Sequence, residues 1–341
     1  MSGLPRPTAI RSGLLFLAIL VVLVPPSLGQ SLSDIVRGAQ REGKLNLYGS
    51  MREDEAIRVF EAFNKRYPFV KIDYFRGDEE RLVGRILTEA RANTYNFDVL
   101  LTTSAYRVKE IRLADAYEPS EANMLRPELR DPDDMLTPVY INTNVIQYNT
   151  RLVAPADVPR SYEDLTLPKW RGKLCLENTD YEWFLGMMNQ MGRERALDLF
   201  RRIAANRPTV RNGHGLLSDL VASGECVVAI NNYGYFVGRA LLRGAPVDMV
   251  AINPVITIIA PTAISKKAPH PNAARLYVDW ISGKEGQQTL VSLGRFPVRI
   301  DLRPNPPRLI EGQRLIIQPP LVAEQLWQIR ELYNRVWGIP D

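Results

Sequence analysis

The chain has 341 residues, 45% hydrophobic and 24% charged, and carries a formal net charge of +5. Its lysines and arginines are spread along the sequence without a basic stripe or run, which excludes a nucleic-acid binder of the usual kind. The length exceeds what one hydrophobic core ordinarily serves, so two domains are expected.

At the N-terminus, Arg6 and Arg11 precede an unbroken apolar run, Leu14 to Val24, followed by Pro25, Pro26 and the small-residue stretch Ser27-Leu28-Gly29. A basic start, a short apolar run and small residues near a cut make a secretory signal peptide over 1–29, cleaved near Gly29 and Gln30. The run falls well short of the ~20 residues of a membrane span. No cysteine lies near the cut to carry a lipid. The expected product is an exported, periplasmic protein whose charge drops to +3 with loss of the two leader arginines. Cys175 and Cys226 are the two cysteines; in an oxidising compartment they either pair or remain as buried thiols.

Strand and helix signals then alternate. Lys44 to Tyr48 reads as a short buried strand ending at Gly49-Ser50. Ala56, Phe60, Phe63 and Tyr67 mark one helix face, with Glu53, Asp54 and Glu55 in its first turn and Pro68 ending it. Val70 to Phe75 predicts a second strand closed by Arg76-Gly77-Asp78; Leu82, Ile86 and Ala90 mark a helix; Phe97 to Leu101 predicts a third strand before Thr102-Thr103-Ser104. Val139 to Tyr148 reads as extended. A second series follows: a strand over Lys173–Glu177, helices from about Glu182 and Arg193, a strand at Thr209–Arg211, a helix over Leu216–Ser223 and a strand over Cys226–Ile230. Val255 to Ala260 is strand-like, and amphipathic helices carry Ala273, Leu276, Tyr277 and Trp280, then Val322, Leu326, Ile329, Tyr333 and Val336. This β-α-β order predicts an α/β fold with largely parallel sheets, whose ligands bind beyond the carboxyl ends of the strands.

The strings LYGSMREDEAIRVFEAFNKRYP, TNVIQYNTRLV with SYEDLTLPKWRGKL, and AISKKAPHPNAARLYVDWISGKEGQ resemble, in order, stretches of the periplasmic solute-binding proteins of ABC transporters, ferric-iron-binding subgroup. The resemblance covers essentially the whole mature chain. It implies a two-lobed fold, each lobe a mainly parallel sheet flanked by helices, joined by extended hinge crossings. The N-terminal lobe would span 30–142 and the C-terminal lobe 143–254, with 255–341 returning across the hinge to pack on the lobes. Iron-binding members share a double tyrosine after a short strand and two asparagines. Here INNYGYF supplies Asn231, Asn232 and Tyr233, with Gly234 in place of the second tyrosine and Tyr235 one position later. The iron reading is weakened accordingly, with Tyr233 and Tyr235 as its metal candidates.

The expected ligand-binding residues are Ser50, Arg76, Asp78, Thr103, Ser104, Asn142, Asn178, Tyr181, Asn212, Asn232, Tyr233 and Tyr235, with Glu79 and Arg211 as further candidates. Arginines suit carboxylate or phosphate partners, so a small anionic organic molecule stands beside ferric iron or its chelate as the expected ligand. Each tyrosine is equally open to plain packing. His214 and His270, the only histidines, lack metal-ligand spacing and read as structural or surface residues. No nucleophile elbow, phosphate-binding glycine loop or zinc-type cluster occurs, so no enzyme is expected and no cofactor. The resemblance implies a monomer that delivers its ligand to an ABC permease; presentation to a membrane sensor kinase is the alternative.

Overall fold

Helix α1 (Leu32–Glu42), strand β1 (Lys44–Gly49), helix α2 (Glu53–Arg66), strand β2 (Lys71–Arg76), helix α3 (Glu79–Arg91) and strand β3 (Val99–Leu101) open the fold. The computed structural model describes Met1, Gly3 and residues 31–340, so the signal peptide expected over 1–29 falls, those two residues apart, outside the described residues. The periodicity of α2 buries Ala56, Val59 and Phe63, and Phe63 meets Tyr277 and Trp280 edge-on at 5.3 and 5.4 Å. β1 lies parallel between β2 and β3. Gly49 is required at its end, because a Cβ there would sit 3.0 Å from the Leu101 carbonyl oxygen.

Helix α4 (Tyr106–Glu110) and strand β4 (Ala114–Asp115) lead to β5 (Thr137–Asn149), the long strand on which the architecture turns. The second series comprises β6 (Leu174–Glu177), α5 (Tyr181–Met191), α6 (Arg193–Ala204), β7 (Thr209–Arg211), α7 (His214–Ser223), β8 (Val228–Tyr233), α8 (Gly234–Leu242) and β9 (Val247–Val250). The chain returns through β10 (Val255–Ser265), α9 (Pro271–Ser282), α10 (Lys284–Ser292), β11 (Phe296–Pro297), β12 (Leu315–Ile317) and α11 (Ala323–Trp337).

The main strand order is β2-β1-β3-β10-β5-β8-β6-β7. Pairing is parallel at both flanks and antiparallel where β10 and β5 cross the middle. β5 pairs with β10 through Thr143 and with β8 from Asn144 onward, so one strand belongs to two differently flanked sheets. One core gathers α1, α2 and α9 around Leu47, Phe63 and Tyr277; another gathers α5, α6 and α11 around Trp183, Phe200 and Tyr333.

Two sequence expectations shift. The third strand begins at Val99 instead of Phe97, because the Asp98 carboxylate binds the backbone N–H of Asn46 and of His270. Cys226 precedes β8 instead of lying on it, its N–H donating to the Leu220 carbonyl at the end of α7. It still reaches Cys175 on β6, with Cα atoms 6.1 Å apart, and the two form a disulfide.

Candidate functional site

The carboxyl ends of the strands from both flanks converge beside β5. On the first flank, the Ser50 hydroxyl donates to Thr102 Oγ1 at 3.2 Å. Asp78 caps α3, accepting from the Arg81 N–H at 2.8 Å, which sets Glu79 on the first helical turn. The Thr103 hydroxyl donates to Glu79. Ser104 is buried, and its hydroxyl has no partner among the described residues. Asp78 therefore acts first as a helix cap, and Arg76 is exposed.

The second flank is more tightly wired. Asp180 follows β6, 2% exposed, and its Oδ2 accepts from Asn144 Nδ2 at 2.5 Å and from Asn231 Nδ2 at 3.2 Å. Its Oδ1 has no hydrogen-bond partner among the described residues. Glu177 is tied down by the backbone N–H groups of Thr179 and Gly213 at 2.5 and 3.0 Å. The side chains of Asn178 and Asn212 approach to 3.0 Å. Tyr181 packs edge-on against Tyr333 with ring centres 5.4 Å apart. Arg211 is engaged by Glu225 at 3.3 Å.

At the end of β8, Asn232 Nδ2 donates to Gln147, while Asn232 Oδ1 accepts from the Tyr233 N–H at 2.8 Å and faces His214 Nδ1 at 3.2 Å. This arrangement assigns the imidazole proton to Nδ1 and leaves Nε2 4.0 Å from Asp180 Oδ2. Burial pushes His214 down to about 3, so the ring is neutral. It stacks on Tyr233 at 3.5 Å. Burial, then the charges of Asp180, Glu79, Glu182 and Glu177, hold the Tyr233 hydroxyl well above the ordinary tyrosine value.

The charge of this region is acidic, with Asp180 and Glu177 buried and Glu79 and Glu182 half-buried. Desolvation and the carboxylates of Glu182, Glu177 and Asp78 push Glu79 up to about 8. Desolvation pushes Glu182 up to about 7. Asp180 is raised by burial and by Glu177 and Glu182. The arginines that suggested an anionic ligand do not balance these acids, since Arg76 is exposed and Arg211 pairs with Glu225.

Along β5, Asn142 Oδ1, Thr143 Oγ1 and Asn144 Oδ1 are buried without partners among the described residues. Gly234 lies against this strand: a Cβ there would come within 2.6 Å of Thr143 Oγ1. A second tyrosine at 234 would force the side chains of Thr143 and Phe296 to shift. Tyr235 does not replace it. Its ring is 4% exposed and sits 3.7 Å under the Arg295 guanidinium, which is itself bound by Glu55. Sequence reasoning missed His214, whose place depends on the fold bringing the end of β7 to that of β8. It also missed the roles of Glu177 and Glu182. Among the described residues no three His, Cys, Asp or Glu side chains form a metal-holding group. His270 bonds Asp98 at 2.8 Å, the structural role expected of it.

The sequence pattern of the family described as bacterial extracellular solute-binding protein matches residues 107–317, more than half of the chain. The chain belongs to this family. The solute-binding protein is 23% identical to the phosphoglycerate transport regulatory protein PgtC of Salmonella typhimurium, over 72% of this chain and 64% of PgtC, so it spans a little under two thirds of that relative. It is 19% identical to the Fe(3+)-binding periplasmic protein of Serratia marcescens, over 74% of this chain and 78% of the relative. Among solved structures it is similar to iron-bound HitA from Pseudomonas aeruginosa, with a TM-score of 0.70 and 22% identity, covering 86% of this chain and 99% of HitA. At that identity the likeness concerns the fold, which is the two-lobed periplasmic binding protein architecture with its mainly parallel flanks and crossing strands. Among the described residues no helix is long and apolar enough to cross a membrane.

Proposed function

We propose that this chain is the extracytoplasmic substrate-binding component of an ABC importer, exported by the N-terminal signal and closing its two lobes over a small solute. The lobes would divide between 142 and 143, one residue before β5 changes partner, with 255–341 returning to both. The observation that carries the reading is a set of buried oxygens without partners among the described residues, Ser104 Oγ after β3, Asn142 Oδ1 and Asn144 Oδ1 on one face of β5, and Asp180 Oδ1, whose carboxylate Asn144 reaches. A buried polar atom left unpaired is costly, and this many in one region signals a ligand that satisfies them. Most of these oxygens are acceptors and the surrounding charge is acidic, so the ligand brings donors or positive charge. Ferric ion, the ligand in the Serratia relative's name, is one such species.

Native mass spectrometry on mature protein isolated from the periplasm, paired with solution scattering, tests this. The expected result is a bound solute whose release expands the molecule, and whose binding is lost in Asp180→Ala. A chain that is not exported, or whose dimensions no solute alters, overturns it. PgtC is named a regulatory protein, which favours presentation to a membrane sensor as the second reading.

A further inference from the structure

Beside the crossing strands lies a cavity of about 500 Å³, within the range of small-molecule sites. Its walls are largely apolar: Pro138, Ile258, Pro261, Ile317, Pro320 and Val322. Tyr106 closes one side, its hydroxyl donating to the Leu321 carbonyl. Two further lining residues, Thr103 and Glu182, join the cavity to the acidic region, because Thr103 is the residue that bonds Glu79. The walls come from both sides of the crossing, α4 on one and α5 with the C-terminal segment on the other, so an occupant would touch both.

The charges around the cavity decide what it takes. Lys109 is held by Asp131 and Asp133, and Arg130 by Glu118 at 2.9 Å. Glu182 and Glu79 have no ion pair among the described residues. The cavity's cations are thus neutralised in place, while Glu182 in its wall, and Glu79 behind the lining residue Thr103, have no cation partner among the described residues.

We propose that this cavity takes the apolar body of a small organic cation whose ammonium group sits at Glu182 and Glu79. The assignment rests on reading the strand ends as the solute site, and names the solute class. The apolar walls supply burial and the uncompensated carboxylates supply charge-assisted hydrogen bonds. A metal ion alone would leave the cavity unfilled, and an anion would meet the carboxylates.

The test uses three probes of similar shape, 2-phenylethylammonium, 3-phenylpropan-1-ol and 3-phenylpropionate, titrated calorimetrically into the full mature protein. The ammonium should bind at least about tenfold more tightly than the alcohol, the worth of a hydrogen bond to a charged group, and the carboxylate weakest. E182Q should abolish the preference for the ammonium while leaving the alcohol unchanged. V322W, at a position 43% exposed and so tolerant of a larger side chain, should weaken all binding by filling the cavity, and keeps the test decisive should E182Q fold poorly. Equal binding of ammonium and alcohol, or a preference that survives E182Q, overturns the proposal. If a copurified solute closes the protein while 2-phenylethylammonium neither binds nor competes, the cation assignment falls and the solute-binding reading stands. If no solute changes the protein's dimensions, the solute-binding reading itself falls.

Discussion

Two groups of buried or half-buried acids are treated in opposite ways. Glu55, 1% exposed on α2, receives Arg295 through two nitrogens, at 2.5 and 2.9 Å, and Arg239 from α8 at 3.3 Å. Arg295 is further sandwiched by Tyr140 and Tyr235, 4.0 and 3.7 Å from their ring centres. Among the described residues, Glu79, Asp180 and Glu182 have no ion pair with an arginine, and Asp180 keeps one oxygen without a hydrogen bond. The first group is complete in itself and holds α2, α8 and the segment before β11 together. The second has hydrogen-bond donors from Thr103, Asn144 and Asn231 but no cation of its own among the described residues. Burial alone does not mark a site; burial without internal compensation does.

Breaking the complete group should have the largest effect. Arg295→Met removes the guanidinium and strands Glu55 in the core, costing about 3–5 kcal/mol in denaturant unfolding. Glu182→Gln, with no partner to lose, should leave stability unchanged or raise it, and a loss comparable to Arg295→Met would erase the distinction. Gly234 separates Tyr233 in the incomplete group from Tyr235 in the complete one. Gly234→Tyr should cost about 1–3 kcal/mol, because its Cβ is driven into Thr143 Oγ1 on β5. A fully stable Gly234→Tyr that gains ferric ion would show that the crossing yields more readily than its packing implies.

The smallest effect is in pH dependence. Glu182 and Glu79 are raised to about 7 and 8, above their unfolded values, chiefly by burial; Glu177 adds to it at both, and at Glu79 so do Glu182 and Asp78, with Arg107 opposing. Between pH 5 and 8 the folded chain therefore binds more protons than the unfolded one, so ligand-free stability falls as pH rises. Thermal unfolding should lose a few degrees across that window, and the double variant E79Q/E182Q should flatten the slope. An unchanged slope would mean that solvent reaches both carboxylates. The same linkage makes binding of a cation tighten with rising pH, since its carboxylate partners must give up their protons.

The elements whose signals are local were legible in the sequence. The Ala56 and Phe63 face of α2, the acids in its first turn, the short strands ending at Gly49-Ser50 and at Arg76, and the long extended β5 all follow from spacing and from where glycine and proline stop an element. The strand-end position of several candidate residues was legible for the same reason; Asn232 and Tyr233 at the end of β8 are examples. The Cys175–Cys226 pairing was one of two open outcomes, because pairing depends on separation in space.

The tertiary structure decided which polar residues are spent within the chain and which are left over. Arg76, Arg211, Tyr233 and Tyr235 look alike in sequence as candidates, and each meets a different fate. Tyr235 is claimed by Arg295, which Glu55 holds from another helix; Arg211 is claimed by Glu225; Arg76 is left in solvent; Tyr233 stacks on His214 at the strand ends. Glu79 and Glu182 are distant in the chain and signal nothing separately. Their importance is their shared desolvation, which exists only once β3, β5 and β6 bring the ends of both series together. Sequence periodicity encodes which face of an element is apolar. Compensation of a buried charge is a property of the assembled neighbourhood, and no local pattern carries it.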